Sequence, residues 1–197
     1  MIHHVWGLLT HPDREWRRID GEHETVGHMY THHVLLLAGI PVISALIGTT
    51  RIGWTFGSSY AYRHDVLTAV AMGIVSYMLI LGAIVLMGNV IYRLAEGQPN
   101  RPGVQRCIVF AGYVATPLFI SGLVALYPLV WLCLLAGIVG LCYTAYLLYV
   151  GLPSFLNIER REGFLLSSSA FAIGVLVLEV LVAAVVLLWG YGLYLDT

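Results

Sequence analysis

Residues 170–189 read AFAIGVLVLEVLVAAVVLLW, a run in which Glu179 is the only charged residue. A helix of about 20 apolar residues is long enough to cross the hydrocarbon core of a bilayer. An ionisable side chain at that depth is strongly disfavoured unless a partner or a function compensates for it. This stretch therefore predicts a membrane-spanning helix with a carboxyl group near its middle.

The composition of the whole chain also indicates a membrane protein. Of its 197 residues 59% are hydrophobic and 11% are charged, whereas charged residues make up about 25% of a soluble domain. Several spans of about 20 residues fill this length, so no soluble catalytic domain fits beside them. The net charge of -1, with no basic stripe interleaved with aromatic residues, indicates that the protein has no nucleic-acid partner.

Four further apolar segments precede the run that contains Glu179, so the sequence predicts an all-α, polytopic membrane protein with five transmembrane helices. Residues 1–30 form a cytoplasmic N-terminal segment, and residues 31–194 form the transmembrane domain. The predicted spans cover residues 31–50, 66–92, 106–126, 128–151 and 165–194. Pro128 is expected as the first residue of the fourth span, after a tight turn.

The distribution of positive charge predicts the orientation. All 10 basic residues are arginines; eight lie on the side of the N-terminus, and only Arg51 and Arg63 lie on the other side. By the positive-inside rule the N-terminus is cytoplasmic and the C-terminus faces outward.

The N-terminal segment is predicted to be amphipathic and to lie along the membrane surface. Its apolar side chains share an edge that we expect to rest on the headgroups, namely Leu8, Leu9, Trp16 and Ile19. Basic side chains near the membrane surface attract anionic lipid. Those expected to contact anionic lipid or a cytoplasmic protein partner are Arg14, Arg17, Arg18, Arg160 and Arg161.

Histidines are concentrated at the start of the chain and suggest a metal site. Glu24, His28 and His32 are four residues apart and share a helix face, and His33 is adjacent. A carboxylate and imidazoles can bind a divalent metal such as zinc; the alternative is a hydrated cap above the first span. The segment 23–28 is one residue too long for the His-Glu-x-x-His motif of zinc proteases.

Three intramembrane residues are functional candidates: Glu179, Tyr113 and Pro117. Glu179 can act as a proton or cation site, because a carboxyl group can alternate between neutral and charged forms. The alternative is a protonated acid that is hydrogen-bonded across the bundle to Tyr113, Thr116 or Ser121. Pro117, like Pro41, bends its helix, and the carbonyl it frees either lines a cavity or is met by a neighbouring group.

Several segments together resemble the Yip family of membrane proteins, and the bacterial inner-membrane branch is the most similar. They are residues 7–19, 32–36 (HHVLL), 111–118 (AGYVATPL), 125–131 (ALYPLVW) and 177–180 (VLEV). The resemblance covers nearly the whole chain and implies a multi-pass protein of the bacterial inner membrane. Eukaryotic members are linked to Rab GTPases and vesicle traffic, but the Asp-Leu-Tyr-Gly-Pro stretch that marks many of them is absent.

Three classes of function remain open, and a lipid-modifying enzyme ranks last among them. No Walker loop, Gly-x-Ser-x-Gly or Cys-x-x-Cys motif is present, and the spans lack the paired acids of a lipid-modifying enzyme, so we expect no catalytic residues and no enzyme activity.

The resemblance favours a membrane interaction or organisation protein with a charged cytoplasmic face, made by residues 1–30, 93–106 and 157–162. The alternative is a transporter for a small solute or cation, either a divalent metal or a proton-coupled substrate. It would use Glu179 with the Glu24, His28 and His32 cluster, and at this size it would need to form a homo-oligomer.

Overall fold

A computed structural model describes Trp16, residues 26–54, Arg63, residues 65–98 and residues 101–195. Within these residues the regular elements are helical, and five helices are long and apolar enough to cross a membrane. They are called spans one to five and comprise Tyr30–Ile52, Val66–Leu94, Val104–Leu126, Val130–Leu156 and Arg161–Trp189. The predicted all-α architecture with five spans is confirmed.

Spans two, four and five are each a single α-helix, and that of span five extends over Arg160–Leu195. Span one follows a short helix, Val26–Met29, and contains an α-helix, Leu35–Ile47, between π-helical segments Tyr30–Val34 and Gly48–Ile52. Span three consists of α-helices Val104–Val114 and Thr116–Ser121, followed by a 3-10 helix, Gly122–Leu126.

The interruption of span three coincides with Pro117, which has no amide hydrogen to donate to the carbonyl four residues earlier. The first helix of this span therefore ends at Val114 and is capped by Ala115. The amides of Leu118 and Phe119 both donate to the carbonyl of Ala115, at 3.0 and 3.2 Å, and start the second helix. The bend predicted from Pro117 is thus a break between two helices.

Span four begins and ends later than the predicted range 128–151, because its helix is Val130–Leu156. The helix stops at Asn157, which has a left-handed φ of 50°. The amides of the first two residues after the helix donate to the carbonyls of Ser154 and Pro153, each at 3.2 Å. Asparagine tolerates this conformation and commonly ends helices in this way. The expectation that Pro128 begins the span was wrong, since this proline lies before the helix.

Span three lies at the centre of the bundle and contacts spans one, two and four. Span five packs at the edge, on spans two and four. In the most apolar stretch of span three 61% of the residues are buried inside the protein, compared with 0% in span five. The amount of surface left for other molecules therefore differs greatly between the spans.

Glycines let spans two and four approach span three closely. A Cβ atom on Gly88 of span two would lie 2.5 Å from Cγ1 of Ile108, and one on Gly140 of span four would lie 2.8 Å from Oγ of Ser121. Small residues of this kind are common where transmembrane helices pack backbone against backbone. These two contacts fix spans two and four against the central span.

Span one meets the end of span three in the same way. A Cβ atom on Gly122 of span three would overlap Pro41 of span one, and one on Gly48 of span one would overlap the carbonyl of Ala125. Pro41 lies inside its helix and is covered by span three. Its observed role is therefore to pack against Gly122.

Hydrogen bonds between spans supplement these contacts, and four of them involve a tyrosine or tryptophan side chain. They join the Tyr30 hydroxyl to the Leu81 carbonyl (3.1 Å), the Tyr77 hydroxyl to the Leu35 carbonyl (2.9 Å), the Tyr149 and Ser168 hydroxyls (2.9 Å), and Trp189 Nε1 to Ser76 Oγ (3.4 Å). In hydrocarbon such a hydrogen bond stabilises the polar group, because no water is present to act as its partner.

Trp16 packs inside the protein, so the expectation that it rests on the headgroups was wrong. It is 4% exposed, and its ring centroid lies 4.7 Å from that of Phe110 in span three. The indole fills the space beside Gly151 of span four, where a Cβ atom would lie 2.6 Å from Cε2. The other surface residues predicted in this segment lie outside the described residues: Leu8, Leu9, Ile19, Arg14, Arg17 and Arg18.

The contact between spans two and three predicts the effect of Gly88→Ala. Because the added methyl group would enter the space occupied by Ile108, we expect a loss of about 1–3 kcal/mol in the free energy of unfolding. Gly82→Ala is the matched control on the same helix, since no atom lies within 4 Å of its Cβ position. Alanine should leave stability unchanged or raise it there. The free energy of unfolding of both variants is measured in mixed micelles with an increasing fraction of denaturing detergent. Equal stabilities of the two variants would contradict the close contact.

Candidate functional site

The ends of the spans form two faces of the protein. The N-terminal face is the side where span one begins, and it includes residues 95–98, 101–103 and 157–159. The C-terminal face is the side where span one ends, and it includes residues 127–129 between spans three and four. The candidate residues are divided between the N-terminal face, the interior and the outer side of span five.

Glu179 lies on the exposed side of span five. It forms no hydrogen bond or ion pair with any residue in the described part of the chain. The predicted alternative of a hydrogen bond across the bundle was therefore wrong. The physical reason is that span five packs at the edge, and Glu179 is on the side that spans two and four leave uncovered. In a bilayer this side chain meets lipid or another membrane protein.

The interior instead contains a polar contact between spans one and three. His33 is 2% exposed, and its Nε2 lies 2.9 Å from Oγ1 of Thr116, which is fully buried. The ring of His33 also packs on Tyr113, with centroids 4.5 Å apart and planes at 48°. A hydrogen bond in such a low-dielectric interior holds the two spans together.

Of the two residues predicted as intramembrane candidates beside Glu179, Tyr113 belongs to this interior contact and Pro117 packs towards span four. Both are buried in span three. The carbonyl of Pro117 faces Gly140 of span four, 3.3 Å from the position of a Cβ atom there. The structure thus brings Tyr113 against His33 and places Glu179 on the outer side of span five.

The predicted metal ligands are also divided. His28 and His32 are exposed and stack on each other, with ring centroids 4.3 Å apart, whereas His33 points into the bundle. A step of one residue turns a helix by about 100°, so the sequence spacing already separates His33 from the other two. Glu24 lies outside the described residues, and within those described no group of three metal-binding side chains occurs. A site made by Glu24, His28 and His32 stays a prediction.

Two arginines of the N-terminal face have structural contacts. Nε and Nη2 of Arg101 donate to the carbonyl of Tyr92, at 3.3 and 3.1 Å, and the guanidinium lies 3.7 Å above the ring of the same residue. Arg106 lies 5.5 Å from the ring centroid of Phe155. Arg101 thereby satisfies a carbonyl at the end of span two, which a helix leaves without a partner of its own.

Other charges of this face are directed outward. They are Arg93, Glu159, Arg161 and Glu162, all exposed and without an ion pair to any residue that the structure describes. Of the predicted contact residues Arg160 and Arg161, the second is exposed at the start of span five, and the side chain of the first lies outside the described part. The N-terminal face therefore presents exposed groups of both signs.

The contact between His33 and Thr116 was missed from the sequence because 83 residues separate the two. It predicts the effect of Thr116→Val, which replaces the hydroxyl with a methyl group of similar size. The hydrogen bond to Nε2 of His33 is lost in a buried place, so we expect a loss of about 1–3 kcal/mol in the free energy of unfolding. Thr50→Val is the control, because that hydroxyl bonds within its own span to the Leu46 carbonyl. If the two variants unfold alike in mixed micelles, the contact contributes nothing to stability.

Comparison with known proteins agrees with this architecture. The pattern of the Yip1 domain matches residues 6–181. Over 189 residues the chain is 60% identical to "Inner membrane protein YohC" of Escherichia coli K12, which covers 96% of this chain and 97% of that protein. The protein of the same name from Escherichia coli O6:H1 strain CFT073 has the same identity and coverage. No solved structure matches significantly. Because the family pattern and these relatives cover most of the sequence, the chain belongs to the Yip1 domain family of membrane proteins.

Proposed function

We propose that this protein is a non-enzymatic interaction protein of the bacterial inner membrane that holds a cytoplasmic protein partner at its N-terminal face. The location is carried over from the name of the E. coli relatives. The orientation, with the N-terminal face in the cytoplasm, follows the distribution of arginines. Neither the family nor the relatives' name assigns a partner.

The position of the charges is the observation that carries the proposal. Every aspartate, glutamate and arginine side chain that the structure describes is at least partly exposed. The buried polar side chains are His33, Ser44, Thr49, Ser76, Thr116 and Ser167. Ionisable residues inside the membrane normally line the path of a transported ion and face the bundle interior or a water-filled cavity. Here Glu179 faces outward, which favours a protein that acts through its surfaces.

The packing of span three also favours this function over transport by a single copy. At Gly88, Gly140 and Gly122 the neighbouring spans approach span three so closely that a methyl group would collide. Channels and carriers need room between spans, at least in one state, for a solute and the groups that bind it. Close contacts with three neighbours hold the central span in place and leave the outer surfaces for binding.

The N-terminal face suits a protein partner because its exposed charges have both signs. Arg93 and Arg161 lie on the same face as Glu159 and Glu162. A surface that recognised only anionic lipid would need cations alone, whereas a pattern of both signs selects a complementary protein surface and fixes its register. Arg101, just before span three, is fixed on Tyr92 at the end of span two, so part of this face is ordered before it binds.

Photo-crosslinking in living cells tests the proposal. A crosslinking amino acid at position 159 should give discrete adducts with a cytoplasmic protein. We expect Arg93→Gln with Arg161→Gln to reduce these adducts about fivefold, since each charge at the rim of an interface contributes about 0.5 kcal/mol. The matched control is Arg51→Gln with Arg63→Gln, which removes two exposed arginines from the C-terminal face and should leave the adducts unchanged.

Two further measurements complete this experiment. A reporter fused to the C-terminus shows whether each variant keeps its orientation, because removing arginines can invert a membrane protein. Flux of protons or divalent cations into proteoliposomes is compared between the wild type and Glu179→Gln. Absence of adducts at position 159, together with flux that depends on Glu179, would overturn the interaction function and establish the transporter instead.

A further inference from the structure

We infer that span five is a self-association surface, along which two copies of this chain pack side by side with their Glu179 carboxyl groups hydrogen-bonded to each other. This contact lies within the membrane and is separate from the N-terminal face, so it goes beyond the proposed function. It rests on two independent features, the pattern of exposed residues along span five and the acid at its middle.

Span five presents one uncovered side along its length. Its helix continues for 36 residues, and spans two and four cover only the opposite side. The exposed residues along the middle of this side are spaced alternately four and three positions apart in the sequence. They are Leu165, Ser169, Ala172, Leu176, Glu179, Ala183 and Val186. This is the period of 3.5 residues at which two helices wind around each other and keep the same side in contact.

The side chains along this line, here called the seam, suit contact with another helix. Ser169, Ala172 and Ala183 are small and allow close approach of a second backbone. Leu176 and Val186 are 60% and 64% exposed and provide larger side chains that can insert between those of a partner. A side of a helix that contacts only lipid needs no such combination of small and large side chains.

Glu179 supplies the independent reason for a partner. The nearest other charged residues along the chain are Glu162 and Asp196, each 17 residues away, which corresponds to about 25 Å along a helix. Span two has no charged residue in 66–92, and span four has none in 130–156. The two spans that pack against span five therefore offer no cation at this depth. A carboxyl group exposed to hydrocarbon without a hydrogen bond is costly even when it is neutral.

A second copy of the chain meets this need by symmetry. Both copies insert with the same orientation, so a two-fold axis normal to the membrane places both Glu179 side chains at the same depth. A neutral carboxyl group has one donor and one acceptor to offer, and two of them are complementary: each O–H donates to the carbonyl oxygen of the other. If one of the pair is ionised, the remaining O–H donates to a carboxylate, which is a stronger bond. The seam is likewise complementary to itself.

Energy transfer between donor-labelled and acceptor-labelled copies in proteoliposomes, measured as lipid is added, tests the inference. Wild-type protein should behave as a dimer that dissociates on dilution in lipid. Glu179→Leu should weaken the apparent association about five- to thirtyfold, because a hydrogen bond between transmembrane helices contributes about 1–2 kcal/mol. Glu179→Gln should retain most of the association, since a side-chain amide also donates and accepts.

Packing along the seam has its own matched variants. Ala183→Leu adds bulk within the seam, and Ala71→Leu adds the same bulk to an exposed alanine of span two. We expect only the first to weaken association. Disulfide formation between copies that carry Leu176→Cys should exceed the background given by the native Cys142, which is exposed on span four.

Three results would overturn the inference. They are a wild-type protein that is monomeric at every lipid ratio, a Glu179→Leu variant that associates as well as the wild type, and a Glu179→Gln variant that dissociates as far as Glu179→Leu. If purified protein is monomeric but a crosslinker at position 176 captures another membrane protein in cells, the seam has a different partner and self-association is excluded. That result leaves the proposed function standing. Conversely, a dimer without adducts at position 159 would sustain this inference while the proposed function fails.

Discussion

Close packing around span three is the constraint on which the rest of the bundle depends. Lipid tails are as apolar as leucine, so helices in a membrane gain little from hydrophobic burial and associate through van der Waals contact and hydrogen bonds. Gly88, Gly122 and Gly140 remove the Cβ atoms that would otherwise hold the helices apart. Three spans can thereby surround the central one, and span five is left at the edge.

This arrangement also determines where polar groups lie. The contact of His33 with Thr116 occupies the interior between spans one and three, where each group satisfies the other without water. Glu179, the acid at the middle of span five, belongs to the helix with the most exposed surface. The interior contacts are thus uncharged, while charged groups are exposed at both faces of the protein and, through Glu179, on the outer side of span five. Both proposed interactions of this protein use surfaces for that reason.

The number of spans could be predicted from the sequence because each is a long apolar run, and the bilayer imposes the same minimum length on all of them. The end of span four could not, since Pro153 is tolerated near the end of the helix and Asn157 stops it instead. The position of Trp16 depended on the gap left by Gly151, which is a property of two packed helices. The different orientations of His32 and His33 could be predicted in part, because His33 is turned by about 100° from His32 around the helix.

The sequence by itself determined that this is a five-helix membrane protein and that Glu179 lies at the middle of the fifth helix, because hydropathy, length and arginine distribution act segment by segment. It could not show which way Glu179 faces, since span five is apolar on every side and its amphipathic pattern has no polar face to orient it. Only the tertiary structure decided this, through the contacts of span five with spans two and four. The same contacts separated Glu179 from Tyr113 and Thr116, which the sequence had offered as its partners. Whether an acid in a membrane faces its own bundle or another molecule depends on how whole helices pack, and that information is spread over residues far apart in the chain.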